Sequence, residues 1–364
     1  MKINIKNIGV KSICATLFIS LFLSCNNSGE SAEAENRLNS VLMDVGRSTE
    51  NVFYSFIDLI SDTLGFRVTA ETKKSDVAGY FGGLGEKLGK ASERLEEVAK
   101  KSEVEGAKER PIALAIREAV DTAKKTLETL KGHLESLKSI GDSNKVGCAA
   151  TGDTQGVSAN PGELKNIFKA LREIVELAKV SGVIKALDAG NTTLKVGGVG
   201  VDNKDGAKIL STNGGATQNA PAKAAAILAS VSGGEMLASI VGSQEGDADT
   251  GVSGNADGST SALKFAKGGT AGNLANSENA KAAAVAGGIA LRSLVKEGKL
   301  AAGGNNGSTG EQKESEGVGI TAANKLLVAV EDIIKKTVKN VLGKAKGEID
   351  KARGPKSAVL EPSK

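Results

Sequence analysis

The chain is poor in the residues that usually carry chemistry. It has one histidine, three cysteines, no tryptophan and only 3 % aromatic residues. A histidine-based metal site needs partner ligands, and a nucleophilic triad needs a base and an orienting acid near its nucleophile. His133 follows Gly132 on a stretch rich in Lys, Glu and Ser, and is expected to be a solvated helix residue. Scarce aromatics leave the apolar content to Ala, Val, Leu and Ile, while glycine numbers 46. Helices should therefore approach closely over small side chains. The chain is long enough to bury a sizeable core, but that core should be long and thin. Long hydrophobic runs are missing beyond the first 25 residues. Ala222 to Val241 is apolar, but Lys223, Gly233, Gly234 and Glu235 break it, so it reads as a buried helix.

What is present begins with the leader. Lys2, Lys6 and Lys11 form a positive start, and Ile13 to Leu23 is an almost unbroken apolar run. That run is shorter than the ~20 residues of a membrane span and suits the hydrophobic region of a signal peptide. Leu21-Phe22-Leu23-Ser24-Cys25 follows and resembles the lipobox cut by bacterial lipoprotein signal peptidase. The leucine usual three residues before the cysteine is Phe22 here, with Leu21 one place further out. The resemblance implies a signal peptide over 1–24 and makes Cys25 the new N-terminus and the lipid attachment site, with acyl chains such as palmitate. Each buried methylene contributes ~0.8 kcal/mol, so two or more chains hold a protein stably on a membrane. Residues 26–31 are polar and aperiodic, a short tether.

Removing the leader changes two other readings. Three of the 47 basic residues leave with it, which brings the remainder within one charge of the 43 acidic residues. A nearly neutral surface argues against nucleic acid, whose binding needs a basic face. Cys14 also leaves and Cys25 takes lipid, so Cys148 remains as a single thiol. It cannot form an internal disulfide, and stability must come from packing.

Hydrophobic periodicity then organises the body. Leu38, Leu42, Val45, Val52, Phe56 and Leu59 keep three-and-four spacing, widened by Val41, Phe53, Ile57 and Ile60. A second seam runs through Phe81, Leu84, Leu88, Ala91, Leu95 and Val98, with Gly82, Gly85 and Gly89 inviting a close neighbour. Pro111 suits the first turn of a third helix, whose seam runs from Ile116 through Val120, Ala123, Leu127, Leu130 and Leu134 to Leu137, with Gly141 as its end. Asn160-Pro161-Gly162-Glu163 resembles an N-cap with its acid three residues on and opens a helix carrying Leu164, Ile167, Phe168, Leu171, Ile174, Val175 and Ala178. From residue 190, Ala-rich helical pieces (Ala222–Val241, Ala280–Val295) alternate with polar loops near 190–205, 211–220, 242–260, 268–279 and 302–317. Leu194-Lys195-Val196 with Val199 and Val201 is compatible with a small strand pair. A last long helix places Ala323, Leu326, Leu327, Val330, Ile333, Ile334, Val338, Val341 and Leu342 on one face. Lys325, Glu331, Asp332, Lys335, Lys336 and Lys339 fall mainly outside it. Pro355 and Pro362 mark a tail. The fold class is all-α, with helical ends and a loop-rich middle over one domain, 32–364.

Three motifs have the residue types of binding sites without the full pattern of one. Gly82-Gly83-Leu84-Gly85-Glu86-Lys87-Leu88-Gly89 lacks the spacing, the Ser/Thr and the preceding strand of a phosphate loop, so helix packing accounts for it better. Asp247-Ala248-Asp249-Thr250-Gly251 lacks the third ligand, the sixth-place glycine and the distant glutamate of a calcium loop, and reads as solvated loop. Lys335, Lys336, Lys339, Lys344, Lys346, Lys351, Arg353 and Lys356 make the C-terminus basic. A solvated face with cations favourable at a helix end is the plainer reading, and binding to anionic lipid or sulfated glycan the sharper one. No catalytic residue, cofactor or metal is expected.

At this point the residues resemble a family. Ile13–Cys25, Asn51-Val52-Phe53-Tyr54-Ser55-Phe56-Ile57 and Ala323–Lys346 are similar to the variable large proteins of relapsing-fever Borrelia, also called variable major outer-membrane lipoproteins. Ala280–Gly303, with Ile289-Ala290-Leu291-Arg292-Ser293-Leu294-Val295-Lys296-Glu297-Gly298-Lys299-Leu300, is similar to an invariant region of the Lyme-spirochaete surface antigen Vls. The resemblance implies an elongated single helical domain whose terminal helices pack near the membrane and whose central loops form the distal surface. It implies a surface coat lipoprotein, facing outside, whose partners are a membrane through lipid and host antibodies. Substitutions in the polar loops, 141–160 among them, cost little, usually within ~0.5 kcal/mol, so sequence can change there while the scaffold persists. The alternative is a host-binding adhesin for glycosaminoglycan or matrix. It is weakened because the strongest cationic cluster is C-terminal, where the resemblance places the membrane. A periplasmic scaffold and an enzyme rank below. The helical seams suit a monomer or a homodimer.

Overall fold

The computed structural model describes residues 40–41, 43–55, 64–103, 111–151, 155–195, 202–302 and 309–353. The leader, Cys25, the tether, Leu38, Leu42, Phe56, Ile57, Leu59, Ile60, Val196, Val199, Val201, residues 303–308 and the tail from residue 354, with Lys356, lie outside them.

Helix α1 occupies residues 43–55 and buries Val45 and Val52. Helices α2 (Lys74–Ser102) and α3 (Pro111–Ser136) bury every seam residue expected of them. They run antiparallel: Gly82, early on α2, faces Lys138 just beyond α3, and Gly89 faces Lys131. The glycines thus admit the neighbour that their spacing suggests. Helix α3 ends at Ser136 and a 3-10 turn, Leu137–Ser139, follows. Gly141 lies beyond the stop, where its missing Cβ leaves room for the main chain of Lys74. Helix α4 (Pro161–Val180) starts as its sequence implies, with Asn160 Oδ1 accepting from Glu163 N at 3.2 Å. The Glu163 carboxylate does not reach back to the cap; it accepts from Ser139 Oγ and Asn166 Nδ2.

The middle of the chain folds around a short helix that is buried all round. After a 3-10 segment, Lys204–Leu210, come α5 (Ala220–Ala229), α6 (Gly233–Val241), α7 (Ala262–Lys267) and α8 (Ala282–Leu294). Every residue of α8 is buried, as a core helix requires. Single helical turns stand at Asp247–Thr250 and Ala271–Leu274. The apolar stretch read as one helix is two, bent by 97°. Ser232 breaks it by taking an extended backbone and forming a reciprocal cap, its Oγ accepting from Glu235 N while its own N–H donates to Glu235 Oε2. Among the described residues no single helix is long and apolar enough to cross a membrane.

Helix α9 (Thr309–Arg353) is the spine. Its 45 residues span ~68 Å at ~1.5 Å per residue. A sphere holding a body of this length would be roughly 50 Å across, so the fold is elongated along α9. Packed on it are α3, α8, α6, α5 and α4. It begins well before the expected apolar face, so residues 309–317 are helix and not loop. Glu331 is also not outside: it is buried. Its carboxylate accepts from Tyr80 Oη at 2.5 Å and from Gly65 N at 3.1 Å. Gly46 of α1 lies against Arg353, which brings the two ends of the described chain together. Among the described residues Ser211–Asn213 and Gly269–Thr270 pair as parallel strands, and Thr193 beside Leu194 makes an isolated antiparallel bridge with Lys281; the rest of the expected pair, from Val196 to Val201, lies outside the described residues. The chain is all-α in class, and nearly all buried apolar residues among those described form one continuous cluster.

Candidate functional site

The groups that sequence reading considered for chemistry are spoken for. His133 is half-buried and not simply solvated, with Nδ1 2.8 Å from Glu173 Oε2 on α4. Asp247 and Asp249 belong to a helical turn and not to an open loop. Asp247 accepts from Ser261 Oγ at 2.7 Å, and Asp249 pairs with Lys165 at 2.7 Å. Cys148 is partly buried, its Sγ 3.5 Å from Gly298 O, and burial raises its pKa. No group of three His, Cys, Asp or Glu residues that could hold a metal occurs among the described residues. A groove of about 620 Å³ beside α9 is lined in part by Ile184, Leu187, Val328 and Ile333. Its one carboxylate, Asp332, is ion-paired with Lys336 at 2.6 Å. The basic C-terminal run is interleaved with acids in the same way: Lys346 and Arg353 meet Asp350, and Lys351 meets Glu348.

The distinctive construction is how the connecting segments are held. Arg292 is fully buried on α8 and no ion pair to it occurs among the described residues. Its guanidinium donates to four main-chain carbonyls instead. Nε reaches Ala266 O at 2.5 Å, Nη1 reaches Val157 O at 3.0 Å and Lys299 O at 3.3 Å, and Nη2 reaches Leu210 O at 3.3 Å. Desolvation pushes its pKa down to about 9, still above neutral pH. Lys74, also buried, donates from Nζ to Val295 O at 2.7 Å and Gly298 O at 2.5 Å, with Arg292 O at 3.4 Å. Arg292 O and Val295 O lie at the C-terminal end of α8, where a cation is favourable. Burial lowers the Lys74 pKa to about 8. A buried charge without such bonds would cost several kcal/mol.

Helix α9 repeats the pattern along its length. Asn324 exchanges both hydrogen bonds with the main chain of Val68, at 2.9 and 3.0 Å. Lys325 caps Leu228 O and Val231 O at 2.6 and 2.8 Å, the last carbonyls before the bend between α5 and α6. Asn340 and Lys344 both donate to Ser181 O.

The segment 141–160, read as freely variable loop, is fastened on both sides. Val146 N donates to Thr72 O, Ala150 N to Leu300 O, and Val157 and Lys299 exchange a pair of 3.0 Å bonds. Gly147, with φ +73°, passes so close to α9 that a Cβ would stand 2.8 Å from Glu316 O. The connecting segments also send small apolar residues inward, such as Ala149, Ala159, Ala216, Val252 and Ala256. Freedom to vary therefore belongs to their exposed positions, such as Thr217-Gln218-Asn219, Ser253-Gly254-Asn255 and Asp257-Gly258-Ser259. The sequence reading did not single out Arg292 as an anchor. Its signal was available: it is the one charged residue in Ala282–Leu294. Lys74 carried no such signal.

Comparison with known proteins gives the arrangement its context. A profile of the Borrelia lipoprotein family matches residues 49–349. The chain is 59% identical to variable large protein 25 of Borrelia hermsii over 98% of this chain and 97% of that protein. It is 56% identical, with the same coverage, to variable large protein 18 of that organism. The crystal structure of the Lyme disease variable surface antigen VlsE of Borrelia burgdorferi matches with a TM-score of 0.68 at 24% identity. That match covers 86% of this chain and 99% of VlsE, and shows a common fold.

Proposed function

The chain belongs to the Borrelia lipoprotein family, and from that premise we propose that it is a lipid-anchored outer-surface coat protein whose exposed segments vary between relatives and so evade host antibody. In this reading residues 1–24 are removed, Cys25 carries the lipid, 26–31 form the tether and 32–364 act as one domain facing outside the cell. Antibodies are its host partners. The observation that carries the reading is the division of labour in the fold. Helices form a continuous core, and polar connecting segments expose short runs while their main chain is fixed. Two proteins of one organism that match nearly the whole chain, yet differ from it at about two positions in five, support it.

Two measurements test the parts separately. Metabolic labelling with an alkyne fatty acid should mark the wild type and not Cys25→Ala. An unlabelled wild type removes the anchor. Antiserum raised against this chain should bind cells displaying it and bind cells displaying variable large protein 25 weakly. Equal binding, through the same segments, removes antigenic difference as the function.

A further inference from the structure

We infer that Arg292, Lys74, Asn324 and Lys325 are positioning residues that hold the connecting segments by main-chain atoms, so that these anchors draw on no side chain of the segments held and constrain their sequence only where Gly156, Gly268 and Gly298 leave room for the close approach. The inference rests on the variable-coat reading for its purpose, though not for its geometry. Each anchor side chain sits on a helix and each atom it holds is a peptide oxygen, or in one case also a peptide N–H. Every residue type supplies a carbonyl, and every type except proline supplies the N–H. A substitution at Val157 or Lys299 therefore removes none of these bonds. Contact through loop side chains would behave differently, because each exchanged residue would break its own anchor.

Arg292 is the strongest case, because one fork ties four segments that are far apart in sequence. It links the end of α7, the segment before α4, the segment after α8 and the end of the 3-10 segment before Ser211. The same segments bind one another through amides that report on the anchor. Gly156 N donates to Ser211 O, Val157 N to Lys299 O and Ala301 N to Ile209 O. The side chain of Val157 points to solvent and is 44 % exposed, while its carbonyl faces Arg292. Outside and inside of the loop are separated at a single residue.

The test is amide hydrogen exchange of the purified protein, resolved by peptide. Arg292→Met should speed exchange of Gly156, Val157, Lys299 and Ala301 together by about tenfold or more, since each lies at or near a carbonyl that loses its guanidinium donor. Arg292→Lys, which keeps the charge and loses the fork, should fall between Met and wild type. Peptides within α2 and α3 should be unchanged. A loop variant carrying Val157→Thr and Lys299→Gln should exchange within about twofold of wild type at the same amides. The proposal is overturned if Arg292→Met leaves those amides unchanged, or if the loop variant loosens them as much. Should Arg292→Met not fold, Asn324→Ala decides. It should release the Val68 amide selectively, and retained protection there overturns the inference. No antibody or cell enters the measurement, so its failure leaves the surface-coat reading standing, and failure of that reading leaves the anchors standing.

Discussion

Replacing Gly288 by alanine probes the contact on which the core helix depends. A Cβ at this position of α8 would stand 2.5 Å from Phe265 Cβ and 3.0 Å from Ala266 N on α7. Comfortable carbon–carbon contact is ~3.5–4.0 Å, so one helix must give way by about 1 Å. Neither can do so freely. Phe265 is fully buried, and Ala266 O is held by Arg292. Helix propensity favours alanine over glycine by ~1 kcal/mol, whereas overpacking costs ~1–3 kcal/mol and more where main chain obstructs. The net expectation is a loss of about 1–2 kcal/mol. Gly83 on α2 provides the control, because a Cβ there meets nothing within 4 Å. Gly83→Ala should gain ~0.5–1 kcal/mol from propensity and unfolded-state entropy. Urea unfolding followed by far-UV circular dichroism should move the two midpoints in opposite directions at constant slope. A Gly288→Ala protein as stable as its parent would refute the close packing of α7 on α8.

Three other changes follow from the same contacts. Asn160→Ala removes the cap of α4 and the 3.1 Å bond from Nδ2 to Glu297; a loss of ~1 kcal/mol should appear in chemical denaturation. Tyr80→Phe keeps the ring stacked on Phe66 at 4.8 Å but deprives the buried Glu331 carboxylate of its phenol donor. It should cost ~1.5–3 kcal/mol, read as a lower melting temperature. Lys124 and Arg117 hold Glu96 down at about 2, below its ordinary value, so its stabilisation is full above about pH 4.5 and fades as pH falls towards 2. For a pair this near the surface ~1 kcal/mol is the expected size. Glu96→Gln should be less stable than wild type at pH 6, and the gap should close by pH 2.

The long seams were legible because period 3.6 alone decides which residues face a neighbour. Phe81 to Val98, Ile116 to Leu137 and Leu164 to Ala178 are all buried as their spacing implied. The break between α5 and α6 was not, since Val231 is as apolar as the helices it separates and Ser232 acts through its cap geometry. The start of α9 was missed for a different reason. Its first turns are polar and glycine-rich because they pack on small surfaces: Ser315 is buried with Oγ donating to Ala301 O, and Gly319 lies against Gly147. Glu331 stands just after Val330 in the apolar seam, and only the tertiary approach of Tyr80 and Gly65 explains a carboxylate there. Anchors that act on main-chain atoms leave no trace at the residues they hold, so Val157 and Leu210 gave no hint of Arg292.

Connecting segments that face the host must be open to reagents added outside the cell. Intact cells should be treated with a protease that does not penetrate the outer membrane, and the released peptides identified by mass spectrometry. Cleavage is expected within 242–260 and 211–220, where the exposed runs lie, while a periplasmic marker stays whole. Peptides that appear only after the cells are permeabilised would place the body inside the outer membrane and contradict the surface-coat reading.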